Sequence, residues 1–280
     1  LVFVGCSTNT TLWKHEKPLV PDDATLVHVS DDAHELGKNH PADVAVLGDP
    51  GTVAGELADE VSDALDPDVL EERLESVEST KEVVGEKMES MGVDESDSPL
   101  PSKAELVDAL RDATPDAFLV DEGVTAKYAL LTRFDLEARQ WFANKGGGLG
   151  YGLPASVGAA IAHDEVGSER DVVGFVGDGS YLYYPQSVFS AVREGVDLTV
   201  VVSNNRNYRI LKDNTLDIFG GNEDDYDFVG MDIEPRVNVP ANAESYGATA
   251  RRVESEDELD EALTDAVGGG VDVVDVLVHD

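Results

Sequence analysis

Val172-Val173-Gly174-Phe175-Val176-Gly177-Asp178-Gly179-Ser180, followed further along by Leu198-Thr199-Val200-Val201-Val202-Ser203-Asn204-Asn205, decides the fold. Each stretch is an apolar, β-branched-rich run without polar alternation, the pattern of a strand buried on both faces of a parallel sheet. Each ends in a polar tip. Asp178 and Asn205 are 27 positions apart with one helical segment, about Pro185–Glu194, between them. That is the length of a strand, a crossover helix and the next parallel strand, so the two tips are expected side by side at one edge of the sheet. Open parallel sheets bind ligands outside the C-terminal ends of their strands, which makes these tips the first place to look for chemistry. Asp178 is a lone carboxylate between glycines that let a ligand approach the backbone, and Asn205 adds an amide oxygen. One carboxylate and one amide oxygen make a small hard-cation site of the kind Mg²⁺ uses when it keeps positions open for water and phosphate oxygens. Alone, a Gly-Asp-Gly or an Asn-Asn is an ordinary turn or loop; the reading rests on their spacing.

Outward from this pair the alternation continues. After Pro101 the sequence predicts a helix with Ser102 as N-cap, a strand at Ala117–Val120, a helix from about Val124 and a strand near Gln140–Ala143. The glycine-rich turn Gly146–Gly152, a helix from about Pro154, and a closing helix Glu256–Val267 with strand Val271–Val278 complete it. The fold class is therefore α/β, a parallel sheet with helices on both faces, over residues 102–280. Three shorter runs, Leu1–Val4, Thr25–Ser30 and Asp43–Leu47, suggest parallel strands of a partial α/β domain over 1–60, and residues 61–101 read as an acidic helical linker. Its helical pattern runs from Asp59 to about Met91 and breaks over Gly92–Pro101, where the domain boundary is expected. Leu1–Gly5 reads as a buried strand already under way, so the chain is expected to be a piece of something longer.

The charge balance is extreme, with 58 Asp and Glu against 20 Lys and Arg in 280 residues and a formal net charge of −38. Disorder, an acidic interaction surface and a surface solvated for high salt all produce such a balance. Apolar runs recur throughout, which excludes disorder. The carboxylates lie between those runs, at Asp59-Glu60, Asp66 to Glu75 and Glu254 to Asp260, as on exposed helical faces. A salt-adapted surface follows, with a fold expected to loosen when salt is withdrawn. Nucleic acid and anionic membranes are poor partners for such a surface. A single cysteine, Cys6, excludes an internal disulfide and fits a cytoplasmic location. No apolar stretch nears the roughly 20 residues that span a bilayer.

The run from Gly177-Asp178-Gly179-Ser180 to Asn204-Asn205 resembles the signature of thiamine diphosphate-dependent enzymes, and Gly146-Gly147-Gly148-Leu149-Gly150-Tyr151-Gly152-Leu153-Pro154 resembles the cofactor-cradling turn of the benzoylformate decarboxylase and acetolactate synthase group. The resemblance is strong from Gly146 to Leu211 and weak before Ser102. It implies that Asp178 and Asn205 bind Mg²⁺ through side-chain oxygens and Asn207 through its backbone carbonyl. Gly179, Ser180 and, from the loop Glu122–Thr125, Thr125 would contact the diphosphate. Leu149 would be the apolar wedge under the bent cofactor, the Gly147 carbonyl would accept from its 4′-amino group, and Tyr208 and Leu211 would line the substrate pocket. The implied activity is decarboxylation of an aromatic or branched 2-oxo acid, with acetolactate-type ligation as the alternative. The family's activating glutamate comes from a separate pyrimidine-binding domain for which the sequence has no match, so the chain as it stands is expected not to turn over unaided, and an inert cofactor-binding fragment is a further alternative. Relatives imply a homo-oligomer.

Other motifs weigh less. The glycine turn fails the dinucleotide fingerprint at its third glycine, and no acidic residue ends a strand at the later spacing, which excludes NAD. His15 reads as a surface residue rather than an active-site one, since ungapped alignment puts Leu12 at that position. Cys6 is expected to pack beside a strand end, Trp13 and Trp141 to pack rather than bind, and Tyr181, Tyr183 and Tyr184 to line a subunit interface or the cofactor channel. An acidic α/β domain binding only a phosphate metabolite is the remaining reading.

Overall fold

The computed structural model describes residues 1–7, 18, 20–90, 98–144 and 146–279. Leu12, Trp13, His15 and residues 91–97 of the expected boundary lie outside these. The chain divides into two compact units, Leu1–Glu82 and Val83–Asp280.

In the first unit β1 (Val2–Val4), β2 (Val27–Ser30) and β3 (Val44–Leu47) form a parallel sheet in that order. The expectation of three parallel strands holds, but β1 is not buried: Leu1 and Val2 are more than half exposed, and only β2 is enclosed, with Val29 and His28. Cys6 is exposed rather than packed. The single helix expected from Asp59 is two. Asp49 caps α1 (Pro50–Ala64) by accepting from Thr52 N, with Pro50 in the first turn where its missing N–H costs nothing. The chain turns at Asp66, and Pro67 opens α2 (Pro67–Ser90), which contains the division between units.

The second unit runs α3 (Lys103–Ala113), β4 (Phe118–Glu122), α4 (Lys127–Arg133), β5 (Trp141–Ala143), α5 (Gly152–Val166), β6 (Val172–Gly177), α6 (Asp178–Tyr181), α7 (Ser187–Glu194), β7 (Leu198–Asn204), α8 (Arg209–Phe219), α9 (Val239–Ser245), β8 (Thr249–Val253), α10 (Leu259–Asp265) and β9 (Val271–Leu277). The six strands are parallel in the order β5-β4-β6-β7-β9-β8. Ser102 caps α3 in a full capping box with Glu105, as its position before an apolar periodic run predicts.

Strand alternation sends neighbouring residues to opposite faces, and each face has its own core. Val173, Phe175 and Val201 pack with Leu106 and Leu110 of α3, Leu130 of α4 and Leu263 of α10. Val172, Val176, Val200 and Val202 pack with Leu153 and Val157 of α5, Val188 of α7 and Val239 of α9. Helices therefore cover both faces, as expected. Every residue of β7 is buried, each large aliphatic side chain among them being worth about 1.5–3 kcal/mol relative to exposure.

Four elements escaped the sequence reading, the short helix α9 among them. Helix α8 has no buried residue and so no inward apolar stripe. Strand β8 is a sheet edge carrying Arg251 and Arg252. Residues 178–181, read as a loop, make the short helix α6.

Candidate functional site

Strand order reverses beside β4, since β5 lies on one side of it and the later β6 on the other. Ligands of open parallel sheets settle at such reversals, outside the strands' C-terminal ends. Register places Gly177 of β6 opposite Ser203 of β7, so Asp178 and Asn205 extend from adjacent strand ends as their spacing predicts. A cleft opens there, and its walls include Thr125 after β4, Asp178, Gly179 and Ser180 after β6, Asn205, Asn207 and Tyr208 after β7, and Leu149 of the glycine-rich turn. Eight of the ten candidate residues therefore share one cleft. Gly147 lies in an adjoining depression with Asp121, Glu122 and Lys127; Leu149 and Val124 belong to both walls and form the ridge between them. Leu211 does neither: it is exposed on α8, outside both linings.

Two devices hold the cleft open. A Cβ at Gly179 would come within 2.5 Å of Tyr208 Cε1, so any side chain there would have to push the Tyr208 ring aside. Val124 takes a left-handed backbone (φ 53), and so does Arg206 (φ 62). For a β-branched residue this conformation is strained, and such strain persists where the surroundings over-determine it. The Asn205–Tyr208 segment is pinned by Tyr208 N donating to the Met231 carbonyl (2.7 Å) and Ile233 N to the Arg206 carbonyl (2.9 Å).

Asp178 is 6% exposed. Its Oδ1 accepts from Gly179 N at 2.9 Å, while Oδ2 is buried without a hydrogen-bond partner. Burial pushes its pKa up to about 7, against the opposing pull of the Gly179 and Arg206 backbone N–H groups. An unpaired buried carboxylate oxygen is costly, and a hard cation at the cleft would satisfy it. The donor set fits such an ion and, with only one carboxylate, leaves room for the oxygens of an anionic ligand. Among the described residues no group of three or more His, Cys, Asp or Glu offers a competing metal site.

Sequence reasoning missed Glu122. Its buried carboxylate accepts from Tyr151 N (3.2 Å) and Gly152 N (2.8 Å), the first backbone donors of α5, whose own cap residue supplies no side chain. Glu122 thus caps α5 from the tip of β4, fixing the turn that carries Gly147 and Leu149 against the sheet. A Cβ on Gly152 would sit 2.6 Å from Glu122 Cβ, which explains the glycine. Ser180 Oγ donates to the Glu122 carbonyl at 3.3 Å, joining the β4 and β6 tips. Also missed was a buried polar chain under the cleft. Asn204 turns away from it, donating Nδ2 to Asp275 Oδ1 (2.7 Å), and Arg252 bonds Asp275 Oδ2 through Nε (2.8 Å) and its terminal nitrogen (2.7 Å). The only advance signal was the pair of aspartates, Asp272 and Asp275, that interrupts the apolar run of β9.

Of the three tyrosines, Tyr181 belongs to the core, with its hydroxyl donating to Asn242 Oδ1 (2.8 Å); Tyr183 and Tyr184 are half-exposed and border Gly150. Trp141 packs against the core, donates to Asp121 Oδ2 (3.3 Å) and carries Lys127 Nζ 5.4 Å over its ring.

A family profile described as "Thiamine pyrophosphate enzyme, C-terminal TPP binding domain" matches residues 123–276. The chain is 32% identical over 231 residues to the benzoylformate decarboxylase of Pseudomonas aeruginosa, covering 80% of this chain and 41% of that protein. It is 28% identical over 183 residues to the acetolactate synthase large subunit of Parasynechococcus marenigrum, covering 65% of this chain and 28% of that protein. The crystal structure of a benzoylformate decarboxylase from Polynucleobacter necessarius shares the fold, with a TM-score of 0.77 at 23% identity over 99% of this chain and 49% of that one. The chain spans less than half the length of these relatives. With its profile match centred on the cleft, the chain belongs to the thiamine pyrophosphate-dependent enzymes and carries their C-terminal cofactor-binding domain.

Proposed function

We propose that the chain is the diphosphate- and cation-binding part of a thiamine diphosphate-dependent 2-oxo acid decarboxylase, with residues 102–280 as that domain and 1–60 as part of a middle domain. The observation that carries this reading is the buried, unpartnered Oδ2 of Asp178 at the mouth of a cleft shared with Asn205 and Asn207. Asp178 and Asn205 side-chain oxygens and the Asn207 carbonyl would hold Mg²⁺. A divalent ion is needed there because a diphosphate is itself strongly anionic and the chain already carries −38. Thr125, Gly179 and Ser180 supply hydroxyl and backbone donors to the diphosphate from two strand tips. Leu149, held by the Glu122 cap on α5, would support the cofactor's bend, and the Gly147 carbonyl would accept from its amino group. Tyr208, packed over Gly179, would exclude water from the substrate side, with Leu211 further out. When bound, the cofactor supplies a carbanion and an electron sink for bond cleavage next to the 2-oxo group. The activating glutamate and its pyrimidine-binding domain, and a second copy of the protein, would be the partners, in the cytoplasm.

Calorimetric titration of thiamine diphosphate with Mg²⁺ in about 1 M KCl, where the Debye length falls to about 3 Å, tests the site. Saturable, metal-dependent binding that Asp178→Ala removes is expected; binding unchanged by the substitution would overturn the assignment.

The acetolactate synthase relative supports acetolactate-type ligation as the second reading. Co-expression with a pyrimidine-binding domain separates the two: benzoylformate giving aldehyde and CO₂ supports decarboxylation, pyruvate giving acetolactate supports ligation, and neither leaves an inert cofactor-binding fragment.

A further inference from the structure

The loop that carries Asn205 and Asn207 is shaped by the residue just before it. Asn204 ends β7 and is buried, and its Oδ1 accepts from Arg206 N at 3.1 Å, closing a turn that folds the chain back at the strand tip. The left-handed backbone of Arg206 lies at the end of that turn, between the two asparagines that line the cleft. The same N–H also faces Asp178, whose pKa burial raises and this donor pulls back. One backbone donor therefore links the tips of β7 and β6, and its position depends on which end of the Asn204 amide faces it.

A carboxamide presents an acceptor at one end and donors at the other, so nothing in Asn204 itself selects the end. Asp275 makes the selection. Register sets Asp275 of β9 between Val202 of β7 and Arg252 of β8. Its Oδ1 accepts from Asn204 Nδ2 (2.7 Å), and its Oδ2 accepts from Arg252 Nε (2.8 Å) and the Arg252 terminal nitrogen (2.7 Å). All three bonds are donated to Asp275, the pattern of an acceptor-only carboxylate. Asn204 must therefore turn Nδ2 towards it, which leaves Oδ1 for Arg206 N. Arg252 supplies the counter-charge that a carboxylate with no exposed surface needs.

We propose that Asp275 is a positioning residue for the cation site: by fixing the sense of the Asn204 amide, it sets the turn that aims Asn205 and Asn207 at a cation beside Asp178. The inference rests on the reading of the cleft as a Mg²⁺ and diphosphate site, and it names a residue that acts there without touching the ligand.

The test is titration of the whole chain with Mn²⁺, a paramagnetic stand-in for Mg²⁺, at fixed thiamine diphosphate in about 1 M KCl, where surface carboxylates are screened. Bound Mn²⁺ is read by electron paramagnetic resonance, and Asp178→Ala defines the background. Asp275→Asn keeps the size of the side chain but has a single acceptor. With that acceptor on Arg252 it offers Asn204 a donor, which reverses the Asn204 amide and sets Nδ2 against Arg206 N–H. The double variant Arg252→Met with Asp275→Val removes the relay with its charge balanced. Both should bind Mn²⁺ about 10-fold to 100-fold more weakly than wild type, the usual cost of losing a partner that orients a metal ligand. In EDTA the Arg206 amide should also exchange its hydrogen faster in both, a readout that needs neither metal nor cofactor. A role in stability alone predicts the opposite for the double variant: a urea midpoint and a Mn²⁺ affinity that recover together. That joint recovery, or wild-type affinity and wild-type exchange in Asp275→Asn, would overturn the proposal while leaving the cleft assignment standing. A wild type that binds no Mn²⁺ above the Asp178→Ala background would overturn both.

Discussion

At Asp178 the position that suits a cation destabilises the empty fold. An aspartate in an unfolded chain titrates near 3.9, whereas here burial raises the pKa to about 7. Between those values the native state holds a proton that the unfolded state has released, so stability is fully present below about pH 4 and is lost as pH rises towards 7. The shift corresponds to a loss of about 4 kcal/mol at most. In EDTA, urea unfolding should show Asp178→Asn losing less stability than wild type between pH 4 and 8, and Mg²⁺ should stabilise wild type at pH 8 far more than at pH 5, where the proton competes with it. Parallel pH profiles for the two proteins would remove Asp178 from the account. Glu122 makes the opposite contribution, because its carboxylate serves two helix-start donors. Glu122→Ala should cost about 1–3 kcal/mol, the penalty of leaving buried donors unpaired, and Glu122→Gln less, since one amide oxygen can still accept. Equal urea midpoints for all three would show that the α5 start does not depend on this clamp.

Among elements, the sheet's centre was legible and its periphery was not, for one reason: local patterns report local burial. Strands β6 and β7 announce themselves because their runs are nearly continuous in apolar residues and both tips are polar, and Ser102 is read as a cap from its own neighbours. Helix α8 offers no buried face, β8 is an edge strand whose arginines break the apolar run, and Pro67 restarts a helix inside what the periodicity joins. The site divides the same way: Asp178 and Asn205 are visible from spacing and the glycine turn from its family resemblance, whereas Glu122 caps a helix 30 residues away and Asp275 meets Asn204 across 71. Leu211 was placed in the pocket by resemblance, but it projects from an α8 that has no buried residue. The Asn204–Asp275–Arg252 chain ties β7, β9 and β8 together under the cleft, and Asp275 is 0% exposed. Arg252→Met would strand that carboxylate and should cost about 3–5 kcal/mol, while adding Asp275→Val should recover most of the loss, because a buried pair is expensive to break and cheap to replace. A double variant no more stable than Arg252→Met would show that the chain contributes more than charge compensation.

Across the whole molecule, 58 carboxylates against 20 cations leave 38 without a partner even if every Lys and Arg pairs once. Helix α2 concentrates the problem. Glu71, Glu75, Glu78, Glu82 and Glu86 follow at spacings of three or four, so each faces the next on the helix surface, and the residues around them are exposed. Within these residues Lys81 pairs with Glu78 at 3.0 Å, but both side chains are about two-thirds exposed and the pair contributes little. Each like-charge pair at this spacing costs about 0.2–0.5 kcal/mol at low ionic strength, and salt removes the cost as the Debye length contracts from about 10 Å at 0.1 M to about 3 Å at 1 M. Helicity should therefore rise with KCl over that range before any change in the sheet, which far-UV and near-UV circular dichroism followed together would detect. The variant Glu75→Lys converts three repulsions, with Glu71, Glu72 and Glu78, into attractions. It should stabilise the chain by about 0.5–1 kcal/mol at 0.1 M KCl and by close to nothing at 1 M. A gain that persists unchanged in molar salt would mean that helix propensity or packing, and not the charge, limits this helix, and the salt adaptation read from composition would have to reside elsewhere on the surface.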